Sequence, residues 1–280
     1  MLKQRLMTAA VLAPLFLWAV FALPTHLLAL VFLFVVAIGA WEWSALAGLQ
    51  NCSLRTAYVA AVATVIVLLY PLMQIPMLVY GVLALALTWW MGALMWINHA
   101  EAQAEPPGGG EVDSPDRRLL FIGFLVLVPT WMALVLLHRN GTPGLYLMLS
   151  LFVIVWGADS GAYFAGRRWG RRKLAPHISP GKTWEGASGG LAVVVVTMAV
   201  AAWLMDYDWG NLLSFVLLGV VTAMFSIVGD LLESLMKRRR GVKDSGRILP
   251  GHGGVLDRID SLTAAAPVFV LGLLLLGVSL

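Results

Sequence analysis

Residues 211–240 read NLLSFVLLGVVTAMFSIVGDLLESLMKRRR. From Leu212 to Gly229 there is no ionisable side chain, then Asp230 and Glu233 appear on the same run and Lys237 to Arg240 close it. A spanning helix rises about 1.5 Å per residue and must cross roughly 30 Å of hydrocarbon, so an apolar run of this length is a membrane span. The remainder of the chain repeats the pattern. Of its 280 residues 60% are hydrophobic and 12% charged, far more apolar surface than one soluble core can bury. Apolar runs centre on residues 6–23, 27–47, 57–72, 76–97, 119–138, 144–165, 187–205, 212–235 and 262–280. The expected fold is all-α, a polytopic membrane protein with about nine transmembrane helices. The run that follows Met1 to Arg5 lacks a clear small-residue cleavage site and is read as a retained helix.

Basic residues set the orientation, because Lys and Arg gather on the cytoplasmic side. With the N-terminus inside, Arg139 alone of the 19 basic residues falls outside. The net charge of +4 is then a one-sided field facing anionic partners or the inner leaflet. Nucleic acid is not expected as a partner, since no basic soluble domain exists to hold it. Cys52 is the single cysteine, so no intrachain disulfide forms.

The stretch NHAEAQAEPPGGGEVDSPDRR, residues 98–118, is rich in Pro, Gly and acid and reads as a flexible cytoplasmic linker. It divides an N-terminal part of four spans, 1–97, from a C-terminal part of five spans, 119–280, which holds most of the polar residues and the expected catalytic site. Trp41, Trp43, Trp89 and Trp90 are expected in the interfacial aromatic belts. Glu42, near a boundary, is assigned no role.

An ionisable group at the centre of a span costs about 2.5 to 3.5 kcal/mol on insertion scales, so each one calls for a reason. Asp159 sits near the cytoplasmic end of the sixth run, and Asp230 and Glu233 near that of the eighth. On a helix Asp230, Glu233, Ser234 and Lys237 share one face. For Glu233 and Lys237 a simple interfacial ion pair is an equal alternative. The next loop, GVKDSGRILPGHGGVLDRID at 241–260, adds Asp244, Asp257 and Asp260 to Lys243, Arg247 and Arg258, among several glycines. Carboxylates suit Mg²⁺, glycines let backbone N–H groups approach phosphate oxygens, and Lys and Arg neutralise a polyphosphate. Together they predict a metal and phosphate site. His252 shapes the turn or bonds a carbonyl, a lone imidazole being a poor Mg²⁺ ligand.

The loop GRRWGRRKLAPHISPGKTWEG, 166–186, also faces the cytoplasm. Its PGKT is not a P-loop, because Pro176 stands where the first glycine belongs and no soluble strand precedes it. It is expected to fold back at the membrane surface and add positive charge to the same anionic substrate.

Residues 234–260, SLMKRRRGVKDSGRILPGHGGVLDRID, resemble the signature of the phosphatidate cytidylyltransferases, or CDP-diacylglycerol synthases, at every fixed position. The segments DSGAYFAGRRWG and ISPGKTWEG are similar to other stretches of that family, whereas the first four spans match only as generic membrane helices. The resemblance implies condensation of CTP with phosphatidic acid to CDP-diacylglycerol and pyrophosphate, dependent on Mg²⁺. It implies a multi-pass homodimer in membrane lipids of the bacterial inner membrane, with the site on the cytoplasmic side. It also implies a metal centre using Asp230 and Asp257.

Combined with the residues, this assigns Asp230 and Asp257 to the metal, with Asp260 and Asp244 beside them or as further ligands, and leaves a second cation open. Lys237, Arg238, Lys243, Arg247 and Arg258 are expected to hold phosphates, with His252, Gly253 and Gly254 at the substrate. Asp159, Ser179, Lys182 and Thr183 are expected to complete the pocket. Two alternatives remain: a CTP-dependent polyprenol kinase, which would release CDP, and a proton-coupled transporter using Asp159, Asp230 and Glu233 as relays. The D-G-x2-A-R motif of the CDP-alcohol phosphotransferases is absent.

Overall fold

A computed structural model describes residues 10, 14–103, 115–204, 208–249, 251 and 253–280. Helix α1 is described over residues 14–22. It is followed by α2 (Thr25–Leu46), α3 (Cys52–Leu72), α4 (Pro76–Ala102), α5 (Arg117–Arg139) and α6 (Gly141–Trp169). A small hairpin, β1 (Lys173–Ala175) and β2 (Ser179–Thr183), precedes α7 (Trp184–Leu204), α8 (Trp209–Arg239) and α9 (Leu256–Leu275). Helices α2 to α9 are each long and apolar enough to cross a membrane. The expected all-α membrane bundle therefore stands, with the hairpin as an addition that the apolar runs did not reveal.

Helices α5 and α9 form the centre, the most deeply buried spans of the bundle. Pro267 within α9 has no N–H to give the carbonyl of Thr263, a vacancy that hydrocarbon cannot fill. The hydroxyl of Thr130 on α5 donates to that carbonyl at 2.9 Å, so the two central helices are joined where the proline breaks the ladder. Around them, α6 and α7 meet backbone to backbone. A Cβ at Gly161 would come within 3.0 Å of Gly189 O and Gly190 Cα, the close approach that small residues permit between membrane helices.

Two of the four tryptophans depart from expectation, while Trp41 and Trp89 are part-exposed. Trp43 and Trp90 are buried in the bundle rather than set in an interfacial belt. Trp43 Nε1 donates to Leu119 O at 2.7 Å and Tyr58 Oη donates to Leu120 O at 2.9 Å, both entering the space left by Gly123. For Trp43, an indole N–H facing a helical carbonyl satisfies its polarity inside the protein and has no need of water; the buried Trp90 Nε1 has no such partner among the described residues.

Element boundaries also differ. Helix α3 starts at Cys52, ahead of the expected run, because the Asn51 side chain accepts from Ser53 N at 2.8 Å and caps it. Helix α9 starts at Leu256, not near 262, so Asp257 and Asp260 lie in its first turns. Residues 98–102 continue α4. Asp116 caps α5, accepting from Arg118 N at 2.8 Å, while its own N–H donates to Ala47 O at 2.8 Å.

Candidate active site

The ends of α2, α4, α6 and α8, the starts of α3, α5, α7 and α9, and the hairpin all lie at one end of the bundle. Arg139, the isolated basic residue, lies at the other, where it donates to Met73 O and Leu280 O.

The last turns of α8 provide the floor of the charged cluster. Their 3.6-residue period places Asp230, Glu233, Ser234 and Lys237 on one face, as the spacing predicts. Ser234 Oγ donates to Asp230 Oδ1 at 3.2 Å, and Lys182 Nζ reaches Asp230 Oδ2 at 2.8 Å. Lys237 Nζ donates to Asp257 Oδ1 at 2.7 Å and lies 3.5 Å from Glu233 Oε1. Glu233 is only 3% exposed, and Asp260 stands beside it. Asp159 of α6 interacts with the charges of Asp230, Lys182 and Arg258. The structure thus gathers Asp159, Asp230, Asp257, Asp260, Lys182, Lys237 and Arg258 from four separate segments.

Lys182 arrives there through the hairpin. Its strands pair antiparallel, Lys173 opposite Thr183 and Ala175 opposite Ser179. Glu101, at the end of α4, accepts from the backbone N–H groups of His177 at 2.9 Å and Ile178 at 3.1 Å, and Arg238 Nε donates to Ile178 O at 3.3 Å. The tip is therefore tied to two helices. Glu185 accepts from Arg171 N at 3.0 Å and Arg172 N at 3.1 Å and closes the base.

The loop after α8 folds over the start of α9. Gly241, Gly251 and Gly253 take positive φ, and Leu249 N donates to Gly253 O at 2.9 Å across the turn. Asp257 Oδ2 accepts from Ser245 N at 2.9 Å, Ser245 Oγ at 3.0 Å and Gly254 N at 2.8 Å. With Lys237 on Oδ1, four donors engage this carboxylate.

Several assignments change in consequence. The Gly254 N–H, expected to face phosphate, is used by Asp257. Gly253 is a close-approach position, since a Cβ there would lie 2.7 Å from Asp257 Oδ2. Thr183 is buried and its Oγ1 accepts from Gly186 N at 3.1 Å, so it caps α7 rather than lining a pocket. Arg238 is committed through Nε to the hairpin. Ser179 is half-buried in β2, while Lys243, Asp244 and Arg247 are exposed on the loop. His252 lies outside the described residues.

The residue that sequence reasoning passed over is Glu42. It is 2% exposed on α2, and its carboxylate accepts from Val255 N at 3.1 Å, Leu256 N at 2.7 Å and Ser245 Oγ at 3.2 Å. The signal was present: a carboxylate inside an apolar span calls for a buried partner.

Mg²⁺ takes oxygen ligands and usually completes its shell with water and substrate phosphates, so one or two protein carboxylates suffice. Among the described residues no group of three or more Asp, Glu, His or Cys side chains is placed to enclose an ion. Asp230 fits such a partial site, since its two partners are side chains that can turn away. Asp257 can offer only Oδ1, by exchange with Lys237.

The profile described as Cytidylyltransferase family matches residues 3–276. A phosphatidate cytidylyltransferase of Pseudomonas aeruginosa is 47% identical, with 96% of each chain covered. One from Haemophilus influenzae is 40% identical over 96% of this chain and 97% of its own. Another, from Brucella suis, is 36% identical over 96% and 92%. The likeness includes the first four spans, which the signature alone did not reach.

Proposed function

Because the chain belongs to the cytidylyltransferase family, we propose that it joins CTP to phosphatidate, forming CDP-diacylglycerol and pyrophosphate in phospholipid biosynthesis. The observation that carries this reading is likeness along nearly the whole chain to phosphatidate cytidylyltransferases, together with a charged cluster at the helix ends. Neither a transporter nor a polyprenol kinase receives support from those relatives.

In the reaction a phosphate oxygen of phosphatidate forms a bond to the α-phosphorus of CTP, the bond from that phosphorus to the β-bridging oxygen breaks, and pyrophosphate leaves. Both reactants are anions, and charge accumulates on the leaving group. Cations fixed in place beforehand stabilise that charge without reorganising. Lys182 and Lys237 are such cations, held by carboxylates until phosphates compete for them, and exposed Lys243, Arg247 and Arg258 extend the field. The lipid phosphate is ionised near neutral pH, so no side chain is required as a base.

Asp230, with Asp260 or Asp257 beside it, would hold Mg²⁺. Bound there, the ion would screen the two phosphates from one another and stabilise departing pyrophosphate. In this reading the charged end faces the cytoplasm of a bacterial inner membrane, consistent with the basic residues gathered there. A lipid headgroup and a soluble nucleotide can both reach it. The reading also includes a homodimer, which light scattering of the detergent-solubilised protein would check.

Product identity tests the activity. Purified protein given labelled CTP and phosphatidate should place label in lipid and release pyrophosphate. Release of CDP with an unlabelled lipid would overturn it in favour of a kinase.

A further inference from the structure

Nothing in the transfer step above uses Glu42, although its carboxylate is among the most deeply buried charged groups of the bundle. Its partners explain its position. Helix α9 has no side-chain cap of its own at Val255, and an uncapped helix start leaves N–H groups orphaned. Glu42, contributed by a helix more than two hundred residues earlier, accepts from two of them, Val255 N and Leu256 N. A carboxylate is suited to that place because the positive end of the helix dipole favours it.

The preceding loop is closed around the same carboxylate. A Cβ at Gly246 would lie 2.8 Å from Glu42 Cδ, and one at Gly254 would lie 2.5 and 2.6 Å from its two oxygens. Neither position has room for a side chain. Between them, Ser245 Oγ is 3.2 Å from Glu42 Oε2 and 3.0 Å from Asp257 Oδ2, so one hydroxyl joins the two acids. Ser245 N and Gly254 N, the backbone donors to Asp257, belong to the two segments that press against Glu42.

We propose that Glu42 is a positioning residue for the transfer reaction. It touches neither substrate. It fixes residues 245–246 and 254–256 at the first turn of α9, and through them the carboxylate of Asp257 that holds Lys237. The inference rests on the cytidylyl-transfer reading of this site and deepens it, by making the N-terminal spans part of the catalytic geometry.

Glu42→Gln and Glu42→Asp, purified in lipid nanodiscs beside the unsubstituted protein, test this. Gln keeps the shape but replaces one acceptor with a donor that faces backbone N–H groups. The expected result is a kcat lower by about 10- to 100-fold, the range seen when a supporting partner of a site is lost, with KM for CTP changed less than about threefold. Glu42→Asp, retaining the charge with a shorter reach, should recover part of the loss. Hydrogen exchange should accelerate in the peptide spanning 244–258 and remain unchanged in α5 and α6. A kcat equal to that of the unsubstituted protein overturns the proposal. So does exchange accelerated throughout the bundle with kcat per folded molecule preserved, which would make Glu42 a general stabilising residue. If Glu42→Gln does not accumulate as folded protein, Glu42→Asp carries the same comparison. Exchange needs no turnover, so an unsubstituted protein inactive on CTP and phosphatidate would sink the transfer reading while the anchor is still tested.

Discussion

At the end of α8, Asp230 is held by two side chains, Lys182 and Ser234. At the start of α9, Asp257 is held by two backbone N–H groups, a hydroxyl and a lysine. Both acids stand in one charged cluster, yet their surroundings differ in what can move. Side-chain partners swing away at the cost of a rotamer change, whereas backbone donors move only if the loop or the helix moves with them. Asp230 is thus the carboxylate able to exchange its partners for an incoming ligand. Asp257 fixes the shape of the site, and its lysine is the part that can respond.

The largest effect should come from breaking the fixed member. Asp257→Asn places an amide N–H₂ among donors and leaves Lys237 with Glu233, 3.5 Å away, as its buried acid, a loss of about 1 to 3 kcal/mol for donors left unsatisfied. Thermal unfolding in detergent should show lowered stability together with lost turnover. Asp230→Asn should separate the two properties. Its kcat is expected to fall by about 10²- to 10³-fold, the scale for removing a group that stabilises transition-state charge, with the unfolding temperature nearly unchanged. Equal destabilisation by both substitutions would erase the contrast.

Lys182→Ala sharpens it further, removing the partner of Asp230 that is also offered to phosphate. A loss of about 10- to 100-fold in kcat/KM for CTP is expected, measured with the hairpin intact because Glu101 and Arg238 hold its tip. The smallest effect belongs far from either acid. Thr130→Val leaves the Thr263 carbonyl beside Pro267 without its donor, which should reduce stability by about 0.6 to 1.7 kcal/mol and leave the rate per folded molecule as it was.

Spans and the polar end were legible because both are written locally. Apolar runs fix the helices, and the spacing of Asp230, Glu233, Ser234 and Lys237 fixes one face of α8. What could not be read depends on distant pairing. Glu42 looks like an isolated interfacial acid until α9 is brought against α2. Thr183 and Gly254 look like substrate contacts until the hairpin and the loop engage them in capping and in holding Asp257. Trp43 and Trp90 have the composition of a membrane belt, but Gly123 and the packing of α4 draw them inward. The start of α9 was missed because its first turn is charged, and an apolar count begins only where the charges end.

Under the proposed function, Asp230, the acid with exchangeable partners, serves nucleotidyl transfer to a lipid. The most direct test of that role is transfer of label from CTP to phosphatidate by the purified protein and by Asp230→Asn, with Mg²⁺ titrated and pyrophosphate followed in the same reaction. Labelled lipid and pyrophosphate are expected in equal amounts, dependent on Mg²⁺, and lowered at least about 100-fold in the variant at matched folding. Transfer by Asp230→Asn at the unsubstituted rate, or label that never enters lipid, would contradict it.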